Sequence, residues 1–169
     1  PPTNYLVVLG LRRYALHEVA EAVTERSYAM FAREWREHGH CHENYNAVTG
    51  EGHDSKDSDA FYGWGALLPL MRVEDALFPS PWEGLCVATA RGPCRRGTLW
   101  SGRVLRLEGG EDGREGAWQL TLDGHPELAG DAACRLSGLR LEPGALELTV
   151  ECPSAVTLHV PGLAAEQVL

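Results

Sequence analysis

Apolar residues recur at helical spacing through the first part of the chain. Pro2 suits the first turn of a helix, where a missing N–H costs nothing. Tyr5, Leu6, Leu9 and Leu11 then continue one stripe to about Tyr14. A second helix is predicted from His17 to His38, with Val19, Val23, Met30, Phe31 and Trp35 along one side and Ala22 beside them. Glu18, Glu21 and Glu25 enrich its beginning, which favours the helix dipole, and Gly39 stops it. A third helix is predicted after Ser58-Asp59, a good N-cap pair. Phe61, Trp64, Leu67, Leu68 and Met71 make it apolar on most sides, so burial is expected. Gly63 and Gly65 allow close backbone approach, at some cost in helix propensity.

The texture changes near Phe78-Pro79-Ser80-Pro81. Beyond it the chain alternates like strands, with candidates at Leu85–Ala90, Thr98–Leu107, Ala117–Leu122, Ala133–Leu141, Ala145–Glu151 and Val156–Val160. Gly109-Gly110, Asp123-Gly124 and Pro143-Gly144 supply turns. The expected organisation is therefore helical over residues 1–76 and a small antiparallel β-sandwich over residues 77–169. Between the second and third helices lies a long connection, Gly39 to Ser58, with no clear period. Connections longer than about 12–15 residues without structure are uncommon in compact domains and are usually functional or disordered. Its histidines, Tyr45 and hydrogen-bonding side chains are not a flexible-linker composition, which favours function.

Composition narrows the classes. The chain of 169 residues is 44% apolar and 23% charged, with formal net charge −9. No basic stripe exists to neutralise phosphates, so neither a nucleic acid nor an anionic membrane is an expected partner. No stretch approaches the ~18 consecutive apolar residues of a membrane span. The five cysteines, Cys41, Cys86, Cys94, Cys134 and Cys152, are odd in number and form no C-x-x-C pair. A disulfide framework or structural zinc site is not expected, and a reduced compartment such as cytoplasm is favoured, with a Cys86–Cys94 bridge as the alternative.

Three constellations carry candidate chemistry. The first is His42-Glu43-Asn44-Tyr45-Asn46-Ala47-Val48-Thr49-Gly50. A carboxylate on an ordered loop beside phenol and amide groups orients and deprotonates a water; the plain alternative is a solvated loop glutamate. The second is His38-x-His40-x-His42, with His53 and Asp54 downstream. Three alternate histidines suit zinc if the segment is extended, but Gly39 and Cys41 disturb regular extension and no fixed ligand motif is present. The third is Tyr45, Phe61, Tyr62 and Trp64, flat rings of the kind that hold sugar C–H faces. Phe61 and Trp64 fit a buried helix, which leaves Tyr62 as the better substrate candidate.

Three segments together resemble trehalase-like six-hairpin glycosidases, most closely glycoside hydrolase family 63 and its mannosylglycerate-hydrolase-like members. Pro2-Thr3-Asn4-Tyr5-Leu6 followed by Gly10-Leu11 resembles the tail of the family's W-R-G-P…N-Y-L segment. Glu43-Asn44-Tyr45-Asn46 with Thr49-Gly50 resembles its E-N-Y-N-x-x-T-G loop, and Phe61 to Leu68 resembles the helix that follows. The match covers about Pro1 to Met71. It implies an incomplete (α/α)6 toroid ahead of the sandwich, in an α + β chain. It also implies an inverting glycoside hydrolase acting on an α-glycosidic bond, with Glu43 as general base. Asn4, His42, Tyr45 and Tyr62 become candidate substrate or water positioners. No metal and no cofactor are implied.

The family's general acid is an Asp on an upstream hairpin, and nothing in this chain matches that segment. The chain is therefore expected to be the C-terminal portion of such an enzyme, inactive alone, with a carbohydrate substrate and the remainder of the barrel as partners. Helices deprived of those neighbours should expose an apolar patch. Two other readings stand beside it: a non-catalytic carbohydrate-binding or assembly module, and a zinc-dependent hydrolase using His38, His40 and His42.

Overall fold

The computed structural model describes residues 1–53, 56, 62–80, 82–89, 94–110, 116–142, 145–162 and 167–168. The chain divides into two compact units, Pro1–Asp75 and Ala76–Leu169.

The first unit holds α1 (Pro2–Arg13), α2 (His17–His38), a 3-10 turn (Gly63–Ala66) and α3 (Leu67–Glu74). α1 carries Pro2 in its first turn and Arg12 and Arg13 in its last, which suits the dipole at that end. α2 closes on Gly39 in the left-handed conformation. Each helix packs on the other two. Their shared core is Val8, Ala20, Leu68 and Met71, with Tyr5, Leu11, Val23, Phe31 and Tyr45 packed around it. This overturns the expected incomplete (α/α)6 toroid. A toroid is a ring of successive helical hairpins, whereas these three helices close on one another around a single small core.

The buried face of α2 also differs from its apolar stripe. Ala20, Thr24, Ser27, Ala32 and Glu34 are buried, while Val19 and Trp35 are 50% and 46% exposed. The reason is steric: α1 and α3 both approach α2, and small residues let the backbones come close. Asn4 Nδ2 on α1 donates to Ser27 Oγ at 3.0 Å across that contact. A charged layer joins α1 to the end of α3. Arg12 is buried, 3.4 Å from Asp75 and 3.8 Å from Glu74, and its guanidinium donates to Met71 O at 3.4 Å. Tyr5 Oη donates to Glu74 Oε1 at 3.2 Å.

The third helix begins later than its pattern suggests, at Leu67. Trp64, expected in the core, is 59% exposed. It sits in the 3-10 turn, where three residues complete a turn. It therefore lies above Leu67 rather than above the buried Leu68. Leu6, Val7 and Leu16 are further exposed apolar positions of this unit. Asp54, Ser58, Asp59 and Phe61 lie outside the described residues.

The second unit contains two antiparallel sheets. One joins β1 (Leu77–Ser80), β2 (Gly84–Ala88), β7 (Arg135–Glu142) and β8 (Ala145–Glu151), in the order β1-β2-β7-β8. The other joins β3 (Cys94–Trp100), β4 (Arg103–Gly109), β5 (Trp118–Leu122), β6 (His125–Gly130), β9 (Thr157–His159) and β10 (Gln167–Val168), in the order β10-β9-β6-β5-β4-β3. Both sheets feed one apolar core, including Leu85, Val87 and Leu136 from the first and Leu105, Leu107, Leu120 and Leu128 from the second. The single strand expected over Thr98–Leu107 is two strands joined at Ser101-Gly102, both at positive φ. No helix among the described residues is long and apolar enough to cross a membrane.

Candidate active site

The connection after α2 folds as a tight hairpin. Tyr45 pairs with Gly52, and the ladder continues through Asn46 N–H to Glu51 O at 2.8 Å and His53 N–H to Asn44 O at 2.9 Å. Its tip is set by side chains. Asn46 Oδ1 accepts from the amides of Val48 at 2.8 Å and Thr49 at 3.0 Å, an Asx turn. Thr49 Oγ1 accepts from the Glu51 amide at 3.2 Å and donates to Glu51 Oε2 at 3.1 Å. Asn46, Thr49 and Gly50 therefore shape the turn.

Two neighbouring residues at the end of α2 fasten this hairpin. Arg33 donates to Thr49 O at 3.3 Å and also to Gly50 O, which holds the tip. Glu34, 5% exposed, takes the base of both arms. Its Oε2 lies 3.0 Å from His38 Nδ1 and 3.3 Å from His42 Nε2, and its Oε1 lies 3.4 Å from Arg33. Burial pushes the Glu34 carboxyl up, but the Gly52 amide, His38, Arg33 and the charge of His42 outweigh it and hold it below the ordinary carboxylate value. The fit is close: a Cβ on Gly52 would sit 2.1 Å from the His42 ring.

The first arm is tied to the far end of the connection. Tyr62 N–H donates to Cys41 O at 3.1 Å, and the Cys41 thiol donates to Tyr62 O at 3.3 Å. Gly65 lies under that thiol, where any Cβ would meet Sγ at 1.9 Å. This is why the two glycines flanking Trp64 are not equivalent: Gly63 faces open space.

Glu43 occupies the bend between the anchored Cys41–His42 and the paired Tyr45, and it is half-buried. It lies near the start of α1: burial lowers the Pro1 amine, while the charges of Cys41 and Glu43 raise it. Glu43, His42 and Tyr45 thus share one arm of the hairpin. His42 is stacked on His40, with centroids 4.3 Å apart and planes at 14°, and meets Tyr45 edge-on at 5.7 Å. The Tyr45 ring packs against the helical core, and Asn4 is engaged with Ser27, so both hold structure. Tyr62 is half-buried at the entry to the 3-10 turn, beside the exposed Trp64.

The three histidines do not converge on a metal. His38 and His42 turn to one carboxylate oxygen, and the parallel His40–His42 stack sets their in-plane lone pairs side by side. Among the described residues no group of three or more His, Cys, Asp or Glu is arranged to hold a metal ion. Glu34 was missed by reasoning from the pattern. Its signal was an acid near the C-terminal end of a helix, toward the unfavourable end of the dipole, four residues before a histidine. No family profile, no curated protein and no solved structure matches this chain.

Proposed function

We propose that this chain carries the general-base half of an inverting α-glycosidase site, with Glu43 as the base. The observation that supports it is the clamped hairpin. A half-buried carboxylate sits on a bend whose arms are tied to α2 through Arg33 and Glu34. A catalytic group needs such preorganisation, because small misplacements cost large factors in rate. The residues that build the hairpin are also those in which the chain resembles glycoside hydrolase family 63.

In this reading Glu43 takes a proton from water as the water oxygen attacks the anomeric carbon. The glycosidic bond breaks, and a second carboxyl group protonates the departing oxygen. In inverting enzymes the two carboxyls stand roughly 6.5–9.5 Å apart, leaving room for the water. The proton donor comes from polypeptide outside this chain. Tyr62 and Trp64 offer ring faces to the sugar. Glu34 is a positioning residue: it acts through His42, which adjoins the base, and through Gly52 on the opposite arm.

The test is Glu43→Gln in the complete protein, assayed on aryl α-glycosides. Turnover should fall by about 10³-fold, within the usual range for a lost general base, while sugar affinity stays within a factor of a few. Undiminished turnover would remove Glu43 from the chemistry. Sugar binding without turnover in the unsubstituted protein would instead favour a carbohydrate-binding module, for which the exposed Trp64 is the supporting feature.

A further inference from the structure

Cys134 and Cys152 stand opposite each other one step beyond the last ladder pair of β7 and β8. The register pairs Leu136 with Val150 and Arg135 with Glu151, so the next position sets Cys134 against Cys152. Both main-chain groups of Cys134 turn the other way, toward Thr89. Its amide donates to Thr89 Oγ1 at 2.8 Å, and its carbonyl accepts from the Thr89 amide at 3.0 Å. A residue with both groups on one neighbouring strand is in a non-hydrogen-bonded position toward the other. Cα atoms in such antiparallel pairs are about 4.5 Å apart, inside the roughly 4.4–6.8 Å window of a disulfide.

The side chains share a face. Cys134 is 6% exposed within the apolar core of the β unit, and Cys152 packs against that same core. The other thiols lack this arrangement. Cys86 alternates with the buried Leu85 and Val87 on β2, which puts it on the opposite face of its strand from the core. Cys94 belongs to β3 in the other sheet, and Cys41 belongs to the helical unit. None of the five is joined in a disulfide in this structure.

We propose that Cys134 and Cys152 form a redox-dependent cross-strand disulfide that pins the start of β7 to the end of β8. The co-reactant is a small disulfide of the glutathione class. Cys152 is the more exposed thiol and attacks first. Its sulfur bonds to one sulfur of the oxidant, whose S–S bond breaks and releases one thiolate. The Cys134 thiolate then attacks the Cys152 sulfur and releases the second. The two protons of the protein thiols go to the two leaving thiolates, and two electrons pass from protein to oxidant. Burial pushes the Cys134 thiol up to about 11, against its Thr89 hydrogen bond, and the adjacent Cys152 adds to the rise. Closure at neutral pH is therefore slow, and its rate rises about tenfold per pH unit toward that value, following the thiolate fraction.

The experiment incubates the full chain with oxidised glutathione at graded ratios to reduced glutathione, then maps thiols by alkylation and mass spectrometry. The expected result is loss of two thiols and about 2 Da, one cross-linked peptide pair containing Cys134 and Cys152, and a higher Tm for the β unit. Cys152→Ser abolishes the cross-link and Cys86→Ser leaves it. A stable glutathione adduct on Cys152 without closure, a cross-link between other cysteines, or no change at strongly oxidising ratios would each overturn the proposal.

Discussion

The two units solve burial in opposite ways. Among the described residues the β unit buries fifteen apolar or cysteine side chains in one continuous core, and its buried polar residues, Ser80 and Thr89, carry no charge. Among its described residues the helical unit has four fully buried apolar side chains at its centre, and surrounds them with buried Arg12, Thr24, Ser27 and Glu34. Stability follows apolar area removed from water, so the β unit is self-sufficient and the helical unit is not optimised for it. Buried charge held by named hydrogen bonds does something else: it fixes a loop in one conformation. Regions that break the rules of core composition are where function is to be sought. The helical unit, with its clamped hairpin, is that region here.

The contrast is broken most forcefully at the centre of the β core. Leu107→Ala removes a fully buried side chain and should destabilise the β unit by about 2–5 kcal/mol. Hydrogen exchange resolved by peptide should show the loss in β3 to β6 and leave the α2 amides unchanged. Equal loss in both units would mean that they unfold as one.

Glu34→Ala comes next. It removes charge-assisted contacts, each worth about 1.5–3 kcal/mol, and should release the hairpin while α2 persists. Faster amide exchange at Asn46, Gly52 and His53 checks it. The pH dependence has a definite sign. Glu34 is held below the ordinary value, so its contribution is present above that range and is lost as pH falls through the lowered value. Glu74 is the opposite case: burial raises it, against Tyr5 and Arg12. Its contribution is complete below the ordinary carboxylate value and is lost as pH rises through the raised one. Urea midpoints of the helical unit should thus lose their acid-side fall in Glu34→Gln and their fall on the higher-pH side in Glu74→Gln. Unchanged profiles in both variants would deny the assignment.

Gly52→Ala is the gentlest of the three. The new methyl group meets the His42 ring, and the ring must shift, at about 1–2 kcal/mol for local overpacking. Because His42 precedes Glu43, turnover should fall by more than stability does. A stability loss with unchanged kcat would separate the His42 position from the base.

How far the chain could be read in advance follows the same division. α2 was legible from its acidic start and Gly39, and its observed limits are His17–His38. Its buried face was not, because Val19 and Trp35 read as core while close packing selected Ala20, Thr24 and Ser27. In the β unit, alternation located most strands, and Asp123-Gly124 marked a real turn. β1 and β6 escaped because Pro79 and Pro126 break a strand pattern, and Ser101-Gly102 carries no strong hairpin signature. At the site, the residue types around Glu43 were visible as a motif. The carboxylate beneath them was not, since hydrophobic periodicity treats Glu34 as surface. A buried charge becomes visible only when its partners, His42 and Gly52 from far along the loop, are folded back onto it.

The most direct test replaces Glu43 by Ala in the complete protein and supplies azide with an α-glycosyl fluoride. If Glu43 withdraws the proton from the attacking water, hydrolysis collapses. Azide, which needs no base, then restores turnover and yields the β-glycosyl azide. Hydrolysis that survives the substitution, or a loss that azide does not rescue, contradicts the account.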